Sequence, residues 1–184
     1  MAAEQGPSSS SASATEKVLG ADAIFGDWGP PVRVRIDAAP VWLFARALKD
    51  RNPVYASEQA ARDAGFDAVP VPPTFTFVMT HGAAFPDLQP EGGGGSLAPA
   101  DSGVPADGTA ESGLYLHGEQ HFEYHRQPVV GDVLEGRMRV SEPFTKQGRR
   151  GEMQMTILQT RWSDAATGDP VVTEQIVSVF LPGD

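Results

Sequence analysis

Phe75–Phe85 reads FTFVMTHGAAF and follows directly on Pro72-Pro73-Thr74. Two prolines favour an extended approach, and Thr74 is a residue type that caps helices, so the stretch is expected to begin a helix at Thr74. Phe75, Phe77, Val78, Met79 and Ala83 leave that helix no polar face, and a helix that is apolar all round is a buried one. Four strand-like stretches lie downstream: Tyr115–His125, Val133–Val140, Glu152–Trp162 and Val171–Leu181. Gly148–Gly151 and Ala165–Gly168 offer hairpin turns between the last three. These three then form a meander, with Leu134, Met138 and Val140 on one face and Val177, Val179 and Leu181 on another. One buried helix with an antiparallel sheet predicts an α+β fold in which the sheet wraps the helix.

Upstream of the helix, Val32–Ile36 (VRVRI) alternates strictly, as a half-buried strand does. Pro40 suits the first turn of a helix whose apolar residues Val41, Phe44, Ala45 and Leu48 keep helical spacing. Ser57 caps a shorter helix that ends at Gly65. Two segments look unfit for a core. The first holds five serines between Ser8 and Ser13, and residues 1–30 are expected as a disordered or loosely ordered tail. The second, Pro90–Gly113, has seven glycines, three prolines, four acids and no base. It reads as a loop inserted in a single domain spanning 31–184.

The 184 residues carry 24 acids against 14 bases, a formal charge of −10. That argues against nucleic acid as a partner, since phosphate binding needs a basic stripe. The absence of cysteine excludes disulfides, thiolate catalysis and thiolate metal sites. Neither an export signal nor an apolar run long enough to span a bilayer is found, so a soluble cytoplasmic protein is expected.

The stretches FARALKDRNPVYASEQAARDAGF, VPPTF and LHGEQHFEYHRQPVVGDVL together resemble the MaoC group of hot-dog-fold dehydratases and hydratases. The resemblance is to their N-terminal, fatty-acid-synthase-like half. It covers roughly Arg33 to Phe180, and LHGEQ-x-F-x-YHR followed by P-V-x-x-GD is its most specific part. It implies a long helix, here Thr74–Phe85, wrapped by a curved sheet. It also implies pairing with a second hot-dog unit, either a different subunit or another copy. The implied substrates are acyl thioesters of coenzyme A or acyl carrier protein, with no cofactor.

Catalytic members of that group carry an Asp, then Asn-Pro, then a His five positions after the Asp. The Asp and His deprotonate a water that adds to a 2-enoyl thioester, work suited to a group titrating near neutrality. Asp50, Asn52 and Pro53 match the pattern, but Tyr55 stands at the His position. A phenol with an ordinary pKa of about 10 is a poor base at pH 7. Asp50 is therefore only a weak catalytic candidate, and Asp50–Pro53 equally reads as a helix end and a turn. Tyr55 is expected to pack, or to hydrogen-bond a substrate or partner group, and Asn52 shares its loop.

Further binding candidates are Thr74 and Phe75, where helix N–H groups could meet a thioester carbonyl. Alternation puts His117, Glu119, His121, Glu123 and His125 on one strand face. Those histidines could hold a metal, yet the interleaved glutamates and the resemblance favour a metal-free polar face. That face would lie at the dimer seam or near the thioester channel. Arg126, Lys146 and Arg149-Arg150 are the cations available for carrier phosphates. His81, alone on the apolar helix, reads as a core histidine. Gly92–Gly95 lacks the lysine and helix of a phosphate loop, and no serine nucleophile elbow occurs.

The favoured expectation is the acyl-accommodating, non-catalytic subunit of an (R)-specific 2-enoyl/3-hydroxyacyl thioester hydratase–dehydratase. A self-sufficient homodimeric hydratase using Asp50 with an unconventional base is a second reading. A non-enzymatic acyl-thioester-binding or scaffold protein is a third.

Overall fold

A computed structural model describes residues 15–18, 21–80, 109–110, 113–149 and 151–182. The strands are β1 (Thr15–Val18), β2 (Ala21–Ile24), β3 (Val32–Arg35), β4 (Thr109–Ala110), β5 (Gly113–Tyr124), β6 (Val133–Val140), β7 (Phe144–Gly148), β8 (Gly151–Asp164) and β9 (Pro170–Pro182). The α-helices are α1 (Ala38–Ala47), α2 (Glu58–Asp63) and α3 (Phe75–Thr80). The main sheet is antiparallel, in the order β3-β6-β8-β9-β5-β4, with β7 pairing to β8.

The inner face of this sheet meets α3. Val32 and Val34 of β3, Leu134 and Met138 of β6, Trp162 of β8 and Val172 of β9 pack with Phe75 and Met79 of α3 into the main core. The expected meander is present as β6-β8-β9. Trp162 is fully buried and lies across Gly136, where an added Cβ would come within 2.5 Å of the indole. Only Gly fits under that ring.

β7 was not expected. It continues the path of β6 along β8 after a break at Ser141–Pro143, so the turn at Gly148–Gly151 joins β7 to β8 and not β6 to β8. Ser141 spans the break: its N–H donates to the Ile157 carbonyl (2.8 Å), and its Oγ accepts from Ile157 N–H (2.9 Å). The sequence FTKQG carries no strand alternation, which hid the element.

The expectation of a loose tail through residue 30 is corrected from Ala23 onward. Ala23 and Phe25 are buried on the outer face against Ile157, Val177 and Val179. Gly26 and Gly29 donate to the carbonyls of Val140 and Met138 (3.0 and 2.8 Å), and the guanidinium groups of Arg139 and Arg161 lie over the Trp28 ring. A serine-rich composition masked two core residues. The Pro90–Gly113 loop likewise ends in structure, since Thr109 and Ala110 of β4 pair with Leu114 and Gly113. Residues 1–14, most of that loop, and His81 with the rest of the expected helix to Phe85 lie outside the described residues.

On α1, Val41 and Ala45 are buried as the spacing required, but Leu48 at the C-cap is 53% exposed. Ser57 caps α2 by accepting from Ala60 N–H (3.3 Å), and Gly65 follows that helix at φ +89°.

Candidate functional site

The Asp50–Tyr55 loop is shaped by its own side chains. Lys49 takes a left-handed backbone (φ 60°), and Asp50 N–H reaches back to the Ala45 carbonyl (2.9 Å), closing α1 in a Schellman arrangement. Asp50 Oδ1 then accepts from Asn52 N–H (2.9 Å), and Asn52 Oδ1 accepts from Val54 N–H (3.2 Å). These two successive Asx turns lead into a 3-10 turn, Pro53–Tyr55, with proline at its start. Both polar side chains thus build the loop, and both remain exposed. Tyr55 is half-buried. Burial, and to a lesser extent the Asp50 carboxylate, push its phenol above the ordinary tyrosine range. At neutral pH it is a proton donor in hydrogen bonds and not a base.

The helix that leads into this loop touches the start of α3, where Phe44 of α1 meets Phe75 edge-on at 5.5 Å. Phe75 is buried and belongs to the core. Thr74 departs from expectation. It adopts φ 68°, outside the extended conformation of an N-cap, and its N–H donates to the Tyr124 hydroxyl (3.0 Å). That N–H is therefore taken. The residues before it are pinned as well: Gln127 Nε2 donates to the Val71 carbonyl (3.0 Å), and Val130 N–H to the Val69 carbonyl (2.8 Å). The VPPTF and YHRQPVVGD motifs are in this way one structural unit.

Arg126, expected as a cation at a strand end, is held between two acids. Nη1 bonds Asp132 Oδ2 (2.6 Å) and Nη2 bonds Asp164 Oδ2 (3.0 Å). Asp132 also accepts from Val129 N–H (2.9 Å), and Gly131 before it needs φ +98°. The Asp164 carboxyl is held below its usual range by the N–H groups of Ala166 and Thr167 and by Arg126. The Arg and Gly-Asp of the motif thus clasp the β5–β6 connection to the end of β8. Lys146 and Arg149 lie exposed on β7 and its turn; Arg150 is outside the described residues.

The expected single histidine face is broken by a β-bulge. His117 pairs with Ser178 and Glu119 with Val177, so the register shifts at Gly118. A Cβ at Gly118 would meet Val179 at 2.8 Å, on the outer side. His117 therefore turns inward and meets Phe77 of α3 edge-on at 5.9 Å. Glu119, His121 and Glu123 keep step with Val177, Gln175 and Thr173 on the outer face. There His125 Nε2 is 3.0 Å from Thr173 Oγ1, and Glu123, His125, Arg161, Thr173 and Gln175 line a cavity of about 340 Å³. No group of three or more potential metal ligands occurs among the described residues. The structure places Asp50, Asn52 and Tyr55 together in the loop that follows α1, sets His117 against Phe77 of α3, and holds Arg126 between Asp132 and Asp164.

Sequence reading passed over Tyr124, Asp132 and Glu174. The first two were inside quoted motifs without a role assigned. Glu174 of β9 is fully buried. Its Oε1 accepts from Gln120 Nε2 (2.7 Å), and burial raises its carboxyl to about 7. It occupies one position of a run of strand-forming residues, where nothing marked it as inward-facing.

A curved antiparallel sheet carrying one apolar helix on its inner face defines a hot-dog protein. The chain belongs to the family described as FAS1-like, dehydratase domain region, whose model matches residues 23–174. A UPF0336 protein from Thermobifida fusca is 28% identical over 141 residues, covering 77% of this chain and 79% of the relative. Another from Mycobacterium leprae is 34% identical over 104 residues, covering 55% and 54%. Among solved structures, the HadBC (3R-hydroxyacyl-ACP dehydratase) complex from Mycobacterium tuberculosis matches with a TM-score of 0.60 at 21% identity, over 85% of this chain and 95% of that one. The ChsH1–ChsH2 complex of the same organism matches with 0.60 at 19%, over 85% of each chain. The (R)-hydratase of A. caviae involved in PHA biosynthesis matches with 0.54 at 19%, over 84% and 94%. At these identities the structural matches carry the fold.

Proposed function

We propose that this chain is the acyl-accommodating subunit of an (R)-specific 2-enoyl/3-hydroxyacyl thioester hydratase–dehydratase, working beside a hot-dog partner that supplies the Asp/His pair. The observation that carries the reading is Tyr55. The Asp50-x-Asn52-Pro53 scaffold is intact and well formed, yet the base position holds a phenol that burial makes still less acidic. Two of the similar structures are named as complexes of paired subunits, which supports a heteromeric assembly.

In hydration, the partner's base would take a proton from water as the oxygen bonds to C3 of the enoyl group, and a proton would be delivered to C2. Dehydration reverses both transfers. This chain would contribute a wall for the acyl group along α3 and the neutral, donating Tyr55. The reading is tested by following loss of enoyl absorbance with crotonyl-CoA and a long-chain 2-enoyl-CoA. Silence from the chain alone, with turnover on adding a partner bearing the intact motif, is the expected result. Full turnover by the chain alone, abolished by Asp50→Ala, would overturn it in favour of a self-sufficient hydratase. Binding without turnover in any combination would leave an acyl-binding protein.

A further inference from the structure

The outer face of the sheet, turned away from α3, carries a cluster of charges that the acyl reading does not use. Arg161 of β8 stands directly opposite Arg137 of β6, and Arg139 lies two residues further along β6 on the same face. Like charges directly opposite one another repel. The nearby acid is shared: Glu135 meets Arg33 at 3.3 Å and Arg137 at 3.5 Å. Among the described residues Arg161 is in no ion pair. Its guanidinium is held instead over the Trp28 ring, 4.8 Å from the centroid. Stacking uses the face of the guanidinium and leaves its in-plane N–H groups to an acceptor.

Arg161 also lines the outer-face cavity of about 340 Å³, together with Glu123, His125, Thr173 and Gln175. Thr173 pairs with Arg161 on one side and with Glu123 on the other, so the two charges end one row across three strands. Two strand spacings put their Cα atoms about 10 Å apart, and they form no ion pair with each other. Between them the surface is polar, with His125 Nε2 3.0 Å from Thr173 Oγ1.

We propose that this cavity binds a small phosphate monoester bearing a hydroxyl or amino group, with the phosphate on Arg161 and the second group on Glu123. The site lies on the opposite face of the sheet from α3 and does not rest on the acyl reading. A guanidinium fork can donate to two phosphate oxygens at once, and neighbouring arginines favour a dianion over a singly charged carboxylate. Glu123 accounts for the second group. A carboxylate only accepts, so it repels a simple anion but bonds a hydroxyl or an ammonium. When the His125 ring donates to Thr173, the threonine hydroxyl is left to donate to a phosphate oxygen. The volume falls at the small end of the range of about 300–1,000 Å³ for ligand pockets, which suits a small metabolite.

The test is calorimetric titration of the full chain at low salt with O-phosphoethanolamine and glycerol 3-phosphate. Inorganic phosphate, ethanolamine, glycerol and 3-hydroxybutyrate are the comparison probes. At least one ester is expected to bind saturably, at least about tenfold tighter than any comparison probe. Arg161→Gln should weaken that ester at least about tenfold. Arg161→Lys, which keeps the charge and loses the fork, should weaken it as well. Glu123→Gln should narrow the gap between ester and inorganic phosphate, whereas Lys146→Gln, an exposed cation outside the cavity, should change nothing. No saturable binding of either ester, binding unaltered in both Arg161 variants, a gap unaltered in Glu123→Gln, or equal binding of 3-hydroxybutyrate would overturn the site. Displacement of the ester by S-dodecyl-CoA would overturn it too, because the cavity would then hold a phosphate of the thioester carrier.

Discussion

Tyr55 holds its proton more tightly than a free phenol because it is half-buried and faces the Asp50 carboxylate. Replacing it with histidine would restore a group that titrates near neutrality at the end of an already formed loop. Tyr55→His is expected to give the isolated chain measurable crotonyl-CoA hydration, about 10²-fold or more above the parent, with a pH limb near 6–7. Tyr55→Phe should leave the isolated chain as silent as before. Glu174 supports a second prediction at this scale. Its folded-state pKa of about 7 exceeds the ordinary carboxyl value of 4.5, because burial disfavours the charged form. The stability it contributes is present below pH 4.5 and is lost as pH rises through 7, by roughly 3 kcal/mol in all. Glu174→Gln keeps the bond from Gln120 and removes the titration. Urea melts between pH 5 and 8 should therefore slope downward for the parent and lie flat for the variant.

At the scale of elements, close approaches and clasps decide what is tolerated. Gly136→Ala drives a Cβ to within 2.5 Å of the Trp162 ring. With the indole buried on all sides, it should destabilise the fold by about 1–3 kcal/mol in chemical denaturation. Arg126→Ala leaves Asp132 and Asp164 without their shared cation; a loss of about 1–2 kcal/mol is expected, with thioester binding unchanged. An equally stable variant with weakened CoA binding would return Arg126 to the substrate. These same elements show what sequence could convey. The start of α3 and strands β5, β6, β8 and β9 were legible because their apolar spacing is regular over many residues. The face of His117 was not, since one glycine admits a bulge and period-2 reasoning fails beyond it. Strand β7 was hidden because FTKQG earns its place by pairing with β8, not by its own pattern. In the candidate site the Asp50–Tyr55 loop was legible as a motif. The role of Tyr124 was not, because its partner, Thr74 N–H, is fifty positions away in sequence.

At the scale of the molecule, the sheet is closed unevenly. β5 pairs with β9 along its length, but β4 covers only Gly113 and Leu114 on the other side. Among the described residues no strand pairs with the outer edge of 115–124. An unpaired strand edge is a template for another strand, and among the described residues that of 116–124 begins at Leu116, 42% exposed, next to Leu114, 53% exposed. The edge also belongs to the strand that carries His117 toward α3, so a partner added there would stand beside the candidate site. These features make the β5 edge the expected seam with a second hot-dog subunit. Leu116→Lys puts a charge on that seam and should weaken association at least about tenfold in sedimentation of the mixed subunits, with little change in Tm. Leu48→Lys is the comparison, an exposed leucine (53% against 42%) at the C-cap of α1, off the β5 edge. If Leu48→Lys dissociates the pair and Leu116→Lys does not, the partner covers α1 and the edge pairing is wrong.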